Sequence, residues 1–348
     1  MRAALRKNPG RLLSLAAWSL AAWSLAAGTP GAAHAQGADG FYRGKTVTIL
    51  IGYSVGGSDD LWARLIARHM GRFLPGQPVV TPQNLPGAGS LVAANQIYNT
   101  APKDGTVLGM INRGVPFEPM LGNKSAQFDP LKFTYLGSPD RDVIVGYIRS
   151  DAPLKHARDM RTQELIVAAT GSGADSFTYP NVLKNLFNLN IRVVSGYPGS
   201  RDMNLAVERN EVHATFISYD TAAREPNFAN GARKIFLQGT MSPDPRMPDT
   251  PTLGDLAGDD EQKRAIELFL YRAQMGRPMV APPDLPAERA SALRKAFVDT
   301  LNDAQAREEA QKQMLNVSIV PPEELLDLVR KAYSADAKTI ARVTAALR

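Results

Sequence analysis

Four short segments of this 348-residue sequence combine glycine with serine, threonine, tyrosine or aspartate, the residue types that bind small polar ligands. The segments are residues 52–60, 84–90, 170–176 and 197–200. Glycine lets a backbone approach a ligand closely, and the free N–H groups at a helix N-terminus attract anions. Each segment stands directly before a predicted helix. We therefore expect these loops to bind a small anion, held mainly by main-chain N–H groups.

The elements that must position these loops alternate between short β-branched runs and longer amphipathic segments. Strands are predicted over 46–51, 79–81, 107–111, 143–149, 165–168, 191–194, 213–216 and 278–281, and helices over 59–73, 90–98, 176–187, 200–209 and 262–271 and from residues 287, 304, 323 and 335. A β-α-β order predicts parallel sheets covered by helices. Ligands of such sheets bind beyond the carboxyl ends of the strands, which is where the loops fall.

Composition narrows the classes of function. The chain has no cysteine, which excludes disulfides, thiolate metal sites and thiol nucleophiles. Residues 1–35 contain Arg2, Arg6, Lys7 and Arg11, then an uncharged stretch and Ala33-His34-Ala35, which predicts a cleaved export signal and a periplasmic protein. Much of the net charge of +6 lies in that segment. Without a remaining basic tract, nucleic-acid binding is not expected.

A series of motifs resembles the substrate-binding receptors of tripartite tricarboxylate transporters, the Bug family of periplasmic solute-binding proteins. The motifs occur in order as Gly56-Gly57-Ser58 with Asp60, Pro86-Gly87-Ala88-Gly89, Ala101-Pro102-Lys103-Asp104-Gly105-Thr106, Phe128-Asp129-Pro130-Leu131 and Pro248-Asp249-Thr250-Pro251-Thr252. The resemblance implies a type II-like, two-lobed periplasmic binding protein with a ligand cleft between lobes, each lobe a mostly parallel sheet flanked by helices. We expect lobe I to comprise 36–138 plus 245–348, and lobe II 139–244.

The resemblance also implies a function and a set of ligand contacts. The protein is expected to capture a small carboxylate-type organic acid and to deliver it, as a monomer, to the large and small membrane subunits of such a transporter. No catalysis, cofactor or metal is expected. The expected ligand contacts are Tyr53, Ser54, Gly56, Gly57, Ser58, Asp60, Gly87, Ala88 and Gly89 in lobe I, and Thr170, Ser172, Gly173, Tyr197 and Ser200 in lobe II. Leu85 and His213 depart from residues common in the family, which leaves the ligand's identity open.

Two alternatives remain from the residues. Gly52-Tyr53-Ser54-Val55-Gly56 matches the Gly-x-Ser-x-Gly nucleophile elbow, so Ser54 with His213 and an aspartate would make a serine hydrolase. Against this, the elbow follows the first strand and His213 falls within a predicted strand. A ligand-sensing periplasmic protein would share the receptor's fold. Metal binding is not expected because His69, His156 and His213 lack ligand spacing.

Overall fold

The computed structural model describes residues 38–347, apart from 153, 155 and 156, so the predicted export signal and His156 lie outside the described residues. The strands are β1 Thr46–Ile51, β2 Val79–Asn84, β3 Val107–Met110, β4 Thr134–Gly137, β5 Ile144–Arg149, β6 Leu165–Ala169, β7 Ile191–Ser195, β8 Ala214–Ser218, β9 Arg233–Gln238 and β10 Met279–Ala281. The α-helices are α1 Ala38–Phe41, α2 Ser58–Met70, α3 Leu91–Asn99, α4 Asp175–Phe187, α5 Ser200–Glu208, α6 Tyr219–Arg224, α7 Pro226–Ala229, α8 Asp260–Leu270, α9 Ala287–Asn302, α10 Ala304–Lys312, α11 Pro322–Tyr333 and α12 Ala337–Ala346.

The strands form two five-stranded sheets, one from each half of the pattern. The first has the order β2-β1-β3-β10-β4, in which β1 runs parallel to β2 and β3, and β10 runs antiparallel to β3 and β4. The second has the order β7-β6-β8-β5-β9, with β6 parallel to β7 and β8, and β5 antiparallel to β8 and β9. The two sheets therefore repeat one plan.

This architecture confirms the predicted fold class, two α/β lobes that each contain a five-stranded sheet. Each sheet is mostly parallel, as expected, because four of its five strands run in one direction. The exceptions are β10 and β5, which are each entered from the other sheet and run against their neighbours. Strands β4 and β9 were not predicted, and β9 begins with Arg233 and Lys234, which interrupt the apolar pattern of a buried strand.

Helix α2 shows how the sequence positions a loop at the sheet edge. Its buried side contains Trp62, Leu65, Ile66 and Met70 at helical spacing, and these side chains share one core with the β-branched side chains of β1. Because β1 ends at Ile51 and α2 begins at Ser58, the glycine-rich loop between them lies at the carboxyl edge of the sheet.

The C-terminal part of the chain packs against both sheets' helices. Phe297 of α9 joins the core of α2 and β1. Helices α8 and α12 instead contact α4: the Gln262 side chain donates to the Leu186 carbonyl at 3.1 Å, and the Asn185 side chain donates to the Ala346 carbonyl at 3.0 Å.

The boundaries of the two lobes along the chain stay a prediction. In the described ranges, no helix combines the length and the apolarity of a membrane-spanning segment.

Two segments of chain connect the sheets, and buried charges join them. The segment after β4 contains Asp140 and Asp142, and the segment before β10 contains Arg277. Arg277 donates to the carboxylates of Asp140 and, at 3.1 Å, Asp142, and all three side chains are at least 96 % buried. The Trp62 indole N–H also donates to Asp140, at 3.0 Å. Burial raises the pKa of Asp140 to about 7 against the opposing effect of Arg277.

A second arginine, Arg246, neutralises a third carboxylate beside Asp140 and Asp142, that of Asp220. The carboxylates of Asp140, Asp142 and Asp220 come within 4.8 Å of one another. Arg246 lies 3.5 Å from Asp220, and Arg277 binds the other two. Guanidinium groups therefore occupy the position that a cation would take.

We predict that Arg277→Met destabilises the protein by about 3–5 kcal/mol, because two buried carboxylates lose their partner. The free energy of unfolding from urea titration measures the effect. Arg330→Met is the matched control: Arg330 pairs with Asp327 on the exposed face of α11, so its removal should change the stability by less than about 1 kcal/mol. Equal losses in the two variants would contradict the role of Arg277.

Candidate ligand-binding site

A cavity of about 70 Å³ lies between the two sheets, at the carboxyl edge of the parallel strands of each. One water needs about 10–15 Å³, so the cavity has room for about five waters or a ligand of similar size. Its lining includes six residues expected from the sequence: Tyr53, Ser54, Gly57, Ser58, Thr170 and Ser200. The predicted loops of both halves of the chain therefore meet at one space.

Three helices direct their N-termini at this cavity. The first residues of α2 (Ser58), α4 (Asp175) and α5 (Ser200) all line it. Their N-cap residues are Gly57, Ala174 and Gly199, and none provides a side-chain hydrogen bond to the first turn. No N-cap side chain therefore competes with an anion for the first N–H groups of these helices. Each helix end contributes about 0.3–1 kcal/mol, and up to about 2 kcal/mol when partly buried.

Other helices of the chain show the contrast. Helices α8, α10 and α12 begin at Asp259, Asp303 and Asp336, and each of these carboxylates accepts a hydrogen bond from a first-turn N–H. An aspartate N-cap satisfies a free amide and offsets the positive helix end. Glycine or alanine at the same position offers no acceptor, so the acidic residues near these three helix starts are those of the first turn, among them Asp59, Asp175 and Asp202. The type of N-cap residue therefore differs between the three helices that face the cavity and these three that do not.

A buried group of two arginines and one aspartate adds positive charge beside the helix ends. Arg113 Nε lies 3.4 Å from Asp175 Oδ2, and Arg272 Nε lies 3.3 Å from Asp175 Oδ1 without the geometry of a hydrogen bond. Arg113 also donates to the Asp142 carbonyl at 2.7 Å. Because two guanidinium groups share one carboxylate, the group carries a formal charge of about +1. Arg113 and Asp175 line the cavity, so this charge faces its interior.

Asp59 and Tyr53 are two further ionisable groups of the lining, beside Arg277. Burial raises the pKa of the Asp59 carboxyl, and Arg277 and Arg113 oppose that rise. Burial likewise raises the pKa of the Tyr53 phenol well above its ordinary value, and Asp59 raises it further. Tyr53 is therefore protonated at neutral pH, and its hydroxyl can donate a hydrogen bond to a ligand oxygen.

The loop before α2 contacts the second sheet's loops directly. Ser54 Oγ donates to Asp202 Oδ2 at 3.1 Å, and Ser54 N donates to the Pro198 carbonyl at 3.4 Å. Farther along the loop, Ser58 Oγ lies 2.6 Å from Thr221 Oγ1. These contacts join the lobes over one side of the cavity, so the structure represents a closed arrangement.

Glycines permit a second contact between the lobes. A Cβ at Gly89 would lie 2.6 Å from the Ala174 nitrogen, and a Cβ at Gly171 would lie 2.6 Å from the Ala88 carbonyl carbon. Gly89 also has a φ of +64°, which side chains rarely tolerate. The loops 87–89 and 171–174 therefore pack backbone against backbone. Here glycine lets the backbones of the two lobes come close together, in addition to the close approach to a ligand that the sequence predicts.

Eight of the expected contacts do not line the cavity, namely Gly56, Asp60, Gly87, Ala88, Gly89, Ser172, Gly173 and Tyr197. Asp60 holds the first loop instead, because its carboxylate accepts from Gly56 N at 2.9 Å, Arg64 Nε at 2.8 Å and Asn84 Nδ2 at 2.8 Å. Arg64 and Asn84 favour the charged form, and the pKa of Asp60 is lowered despite its burial. Most of the other residues belong to the contacts between lobes. Their binding to a ligand stays a prediction.

The cavity also contains residues that sequence reasoning missed, among them Asp59, Asn112, Arg113, Asp175, Ser218 and Arg277. Arg113 lies shortly beyond the end of β3, and Ser218 is the last residue of β8. Because ligands bind beyond the carboxyl ends of parallel strands, the sequence could have indicated both residues. Arg277 stands before β10, which is antiparallel, and thus reaches the same edge from its amino end. Locating it requires the sheet order.

The hydrolase alternative requires a histidine beside Ser54, and the positions of the histidines test this requirement. His69 Nε2 lies 2.7 Å from Glu309, and His213 Nδ1 accepts from the Ile166 N–H at 3.2 Å. Ser54 Oγ is bound to Asp202. Within the part of the chain that the structure describes, neither histidine contacts Ser54. A Ser-His pair, on which this catalytic mechanism depends, is therefore not formed by these side chains.

Several solved structures have a fold similar to that of this chain. The structure of the periplasmic binding protein BugD matches with a TM-score of 0.68 and 20 % identity, covering 84 % of this chain and 95 % of BugD. MatC from Rhodopseudomonas palustris, solved with bound malate, matches with a TM-score of 0.67 and 22 % identity, covering 87 % and 99 %. Another R. palustris protein, solved with adipate, has a TM-score of 0.67 and 16 % identity, covering 86 % and 97 %. No family model matches the sequence.

A curated relative gives a weaker sequence match. The UPF0065 protein in the gbd 5′ region of Cupriavidus necator is 25 % identical over 230 residues, which cover 61 % of this chain and 64 % of that protein. The match therefore spans less than two thirds of the relative's length. The similar solved structures are periplasmic binding proteins of the BugD and TctC type, which confirms the resemblance predicted from the sequence. At these identities the similarity defines the fold.

We predict that Ser54→Cys combined with Gly199→Cys forms a disulfide between the lobes. A Cβ at Gly199 would lie 3.3 Å from Ser54 Cβ, near the usual disulfide range of about 3.5–4.5 Å. The natural chain has no cysteine, so the pair can be assayed without interference. Intact mass and mobility on a non-reducing gel after mild oxidation measure the bond. Ser54→Cys with Gly40→Cys is the control, and no intramolecular bond is expected there. Failure of the first pair to oxidise would contradict this contact.

Proposed function

We propose that this protein is a periplasmic solute-binding receptor that captures a small carboxylate between its lobes. The observation that carries the proposal is the convergence of three helix N-termini without side-chain caps on one cavity, from both sheets. Arg113 adds a charged donor at the same place. A carboxylate is small, planar and anionic, so it can accept N–H groups from two lobes at once. Binding then favours the closed arrangement, which alone brings both sets of donors together.

The energies of these interactions are sufficient for capture. Hydrogen bonds to a charged group contribute about 1.5–3 kcal/mol each. A few of them, together with the helix ends, reach the roughly −8 kcal/mol that corresponds to a micromolar Kd. We include six of the predicted residues in the site, Tyr53, Ser54, Gly57, Ser58, Thr170 and Ser200, and add Asn112, Arg113 and Ser176 from the cavity lining.

Transport is the role that fits such a receptor. The chain shares its fold with MatC, which was solved with malate, and with a protein solved with adipate. We propose that the ligand is handed to a tripartite tricarboxylate-type transporter with a large and a small membrane subunit, and that the receptor acts as a monomer after removal of residues 1–35. Ligand capture without a catalysed reaction is consistent with the hydrogen bond from the Ser54 hydroxyl to the Asp202 carboxylate.

The test is isothermal titration calorimetry of the mature protein with succinate, glutarate, adipate and citrate, each compared with its uncharged amide. We expect at least one acid to bind with a Kd near the micromolar range, and its amide to bind at least about 10-fold more weakly, because the amide loses charge-assisted hydrogen bonds. Arg113→Met should weaken that acid by about 10-fold or more. Arg330→Met, an exposed arginine on α11, is the control and should leave its Kd unchanged.

Absence of heat with every acid would contradict the proposal. Equal affinity for an acid and its amide would also contradict it, since the helix ends and Arg113 would then select no charge. Turnover of an ester or amide by the wild-type protein, lost in Ser54→Ala, would support the hydrolase instead.

A further inference from the structure

An arginine that follows the second sheet reaches a helix that follows the first. Arg224 is the last residue of α6, which comes directly after β8 of the second sheet, and Ser58 is the first residue of α2, which follows β1 of the first sheet. Arg224 Nη2 donates to Ser58 Oγ at 2.5 Å. This hydrogen bond therefore joins the two sheets at the N-terminus of α2, one of the helix starts that face the cavity.

The Arg224–Ser58 contact lies within a group of three hydroxyls. Ser58 Oγ lies 2.6 Å from Thr221 Oγ1 and 3.3 Å from Ser218 Oγ, and the latter two atoms lie 2.8 Å apart. Arg224 Nη2 also donates to Thr221 Oγ1, at 3.3 Å. The three residues with hydroxyls line the cavity, whereas Arg224 lies outside the lining. Arg224 therefore acts on a bound ligand only through the residues that it holds.

The partners of Arg224 make this contact weaker than the other arginine contact between the sheets. Within the described part of the chain, Arg224 forms hydrogen bonds with hydroxyls and no ion pair, and its buried Nη1 has no hydrogen-bond partner. Burial, followed by the charge of Arg277, lowers the pKa of Arg224, so the closed arrangement opposes its charge. Separation of the lobes would return the guanidinium to water.

Arg277 shows the opposite design. Its guanidinium binds the carboxylates of Asp140 and Asp142, and charge-assisted bonds between two ions are the stronger kind. It joins the segments through which the chain crosses between the sheets, where the contact has to persist. A guanidinium held by neutral hydroxyls suits a contact that forms and breaks with each closure.

We propose that Arg224 is a positioning residue that holds the lobes in the closed arrangement. Its guanidinium keeps Ser58, and with it the N-terminus of α2, against the hydroxyls of Ser218 and Thr221. Opening breaks this contact, so Arg224 sets how long the closed arrangement lasts. The inference rests on the proposed function in taking the lobes to open and close, and it assigns no chemistry to the ligand.

The test measures closure without a ligand, from the rate at which the pair Ser54→Cys and Gly199→Cys oxidises. The empty closed arrangement is the minor state in the proposed function, so the rate follows its population. Adding Arg224→Met should slow oxidation about 3- to 10-fold, the effect of one lost hydrogen bond. Arg224→Lys, which retains a charged donor, should recover part of the rate. Ser58→Ala removes the acceptor instead and should slow oxidation to a similar extent, which keeps the test decisive if Arg224→Met does not fold.

The two substitutions together distinguish one shared contact from two separate effects. In the Ser58→Ala background, Arg224→Met should slow oxidation by less than about 2-fold more, because the same contact is already lost. Arg209→Met is the matched control: Arg209 is exposed at the end of α5, 4.0 Å from Glu211, and its removal should leave the rate unchanged. An unchanged rate in Arg224→Met, or independent effects of the two substitutions, would overturn the inference.

Calorimetry with succinate, glutarate, adipate and citrate separates this role from direct contact with a ligand. Because Arg224 lies outside the lining, Arg224→Met should weaken every acid that binds by a similar factor, about 3- to 10-fold. A loss confined to one acid would overturn the inference, since Arg224 would then contact that ligand. If none of the acids binds, the proposed function fails, and the oxidation rates still decide the inference.

Discussion

Backbone amides at the starts of three helices, to which no N-cap side chain offers an acceptor, are the constraint on which the rest of this structure depends. Gly57, Ala174 and Gly199 precede α2, α4 and α5 and offer no side-chain acceptor to the first turn. Polar groups enclosed without a partner are unfavourable, so the closed cavity requires water or a ligand to bind them. The same amides that make an empty closed state unfavourable make an anion-filled one favourable. In the proposed function, closure and ligand capture are therefore one event.

The lobes can close only if their connection keeps them in register. Arg277, Asp140 and Asp142 tie the two connecting segments together beneath the cavity, and Trp62 of α2 binds the same cluster through Asp140. At the edges of the cavity, Gly89 and Gly171 let opposing backbones meet where larger residues would separate them. The buried charges define where the lobes join, and the glycines define how near they come.

Sequence reasoning located the loops because the carboxyl ends of parallel strands must meet at one edge of a sheet. It could not separate Asp59 from its neighbour Asp60, since adjacent residues of a first helical turn point about 100° apart and the rotation depends on packing. Asp60 was expected at the ligand, whereas its carboxylate binds Gly56, Arg64 and Asn84, and Asp59 lines the cavity. Arg277 was missed because an antiparallel strand brings it to the site from the opposite direction.

The most direct measurement of the central claim is amide hydrogen exchange of the protein with and without a bound carboxylate. The account predicts slower exchange at the first turns of α2, α4 and α5 together, because one ligand binds their N–H groups from both lobes. The first turns of α8 and α12, which aspartates cap, should be unchanged. Protection confined to one lobe, or a bound acid that protects none of the three, would contradict it.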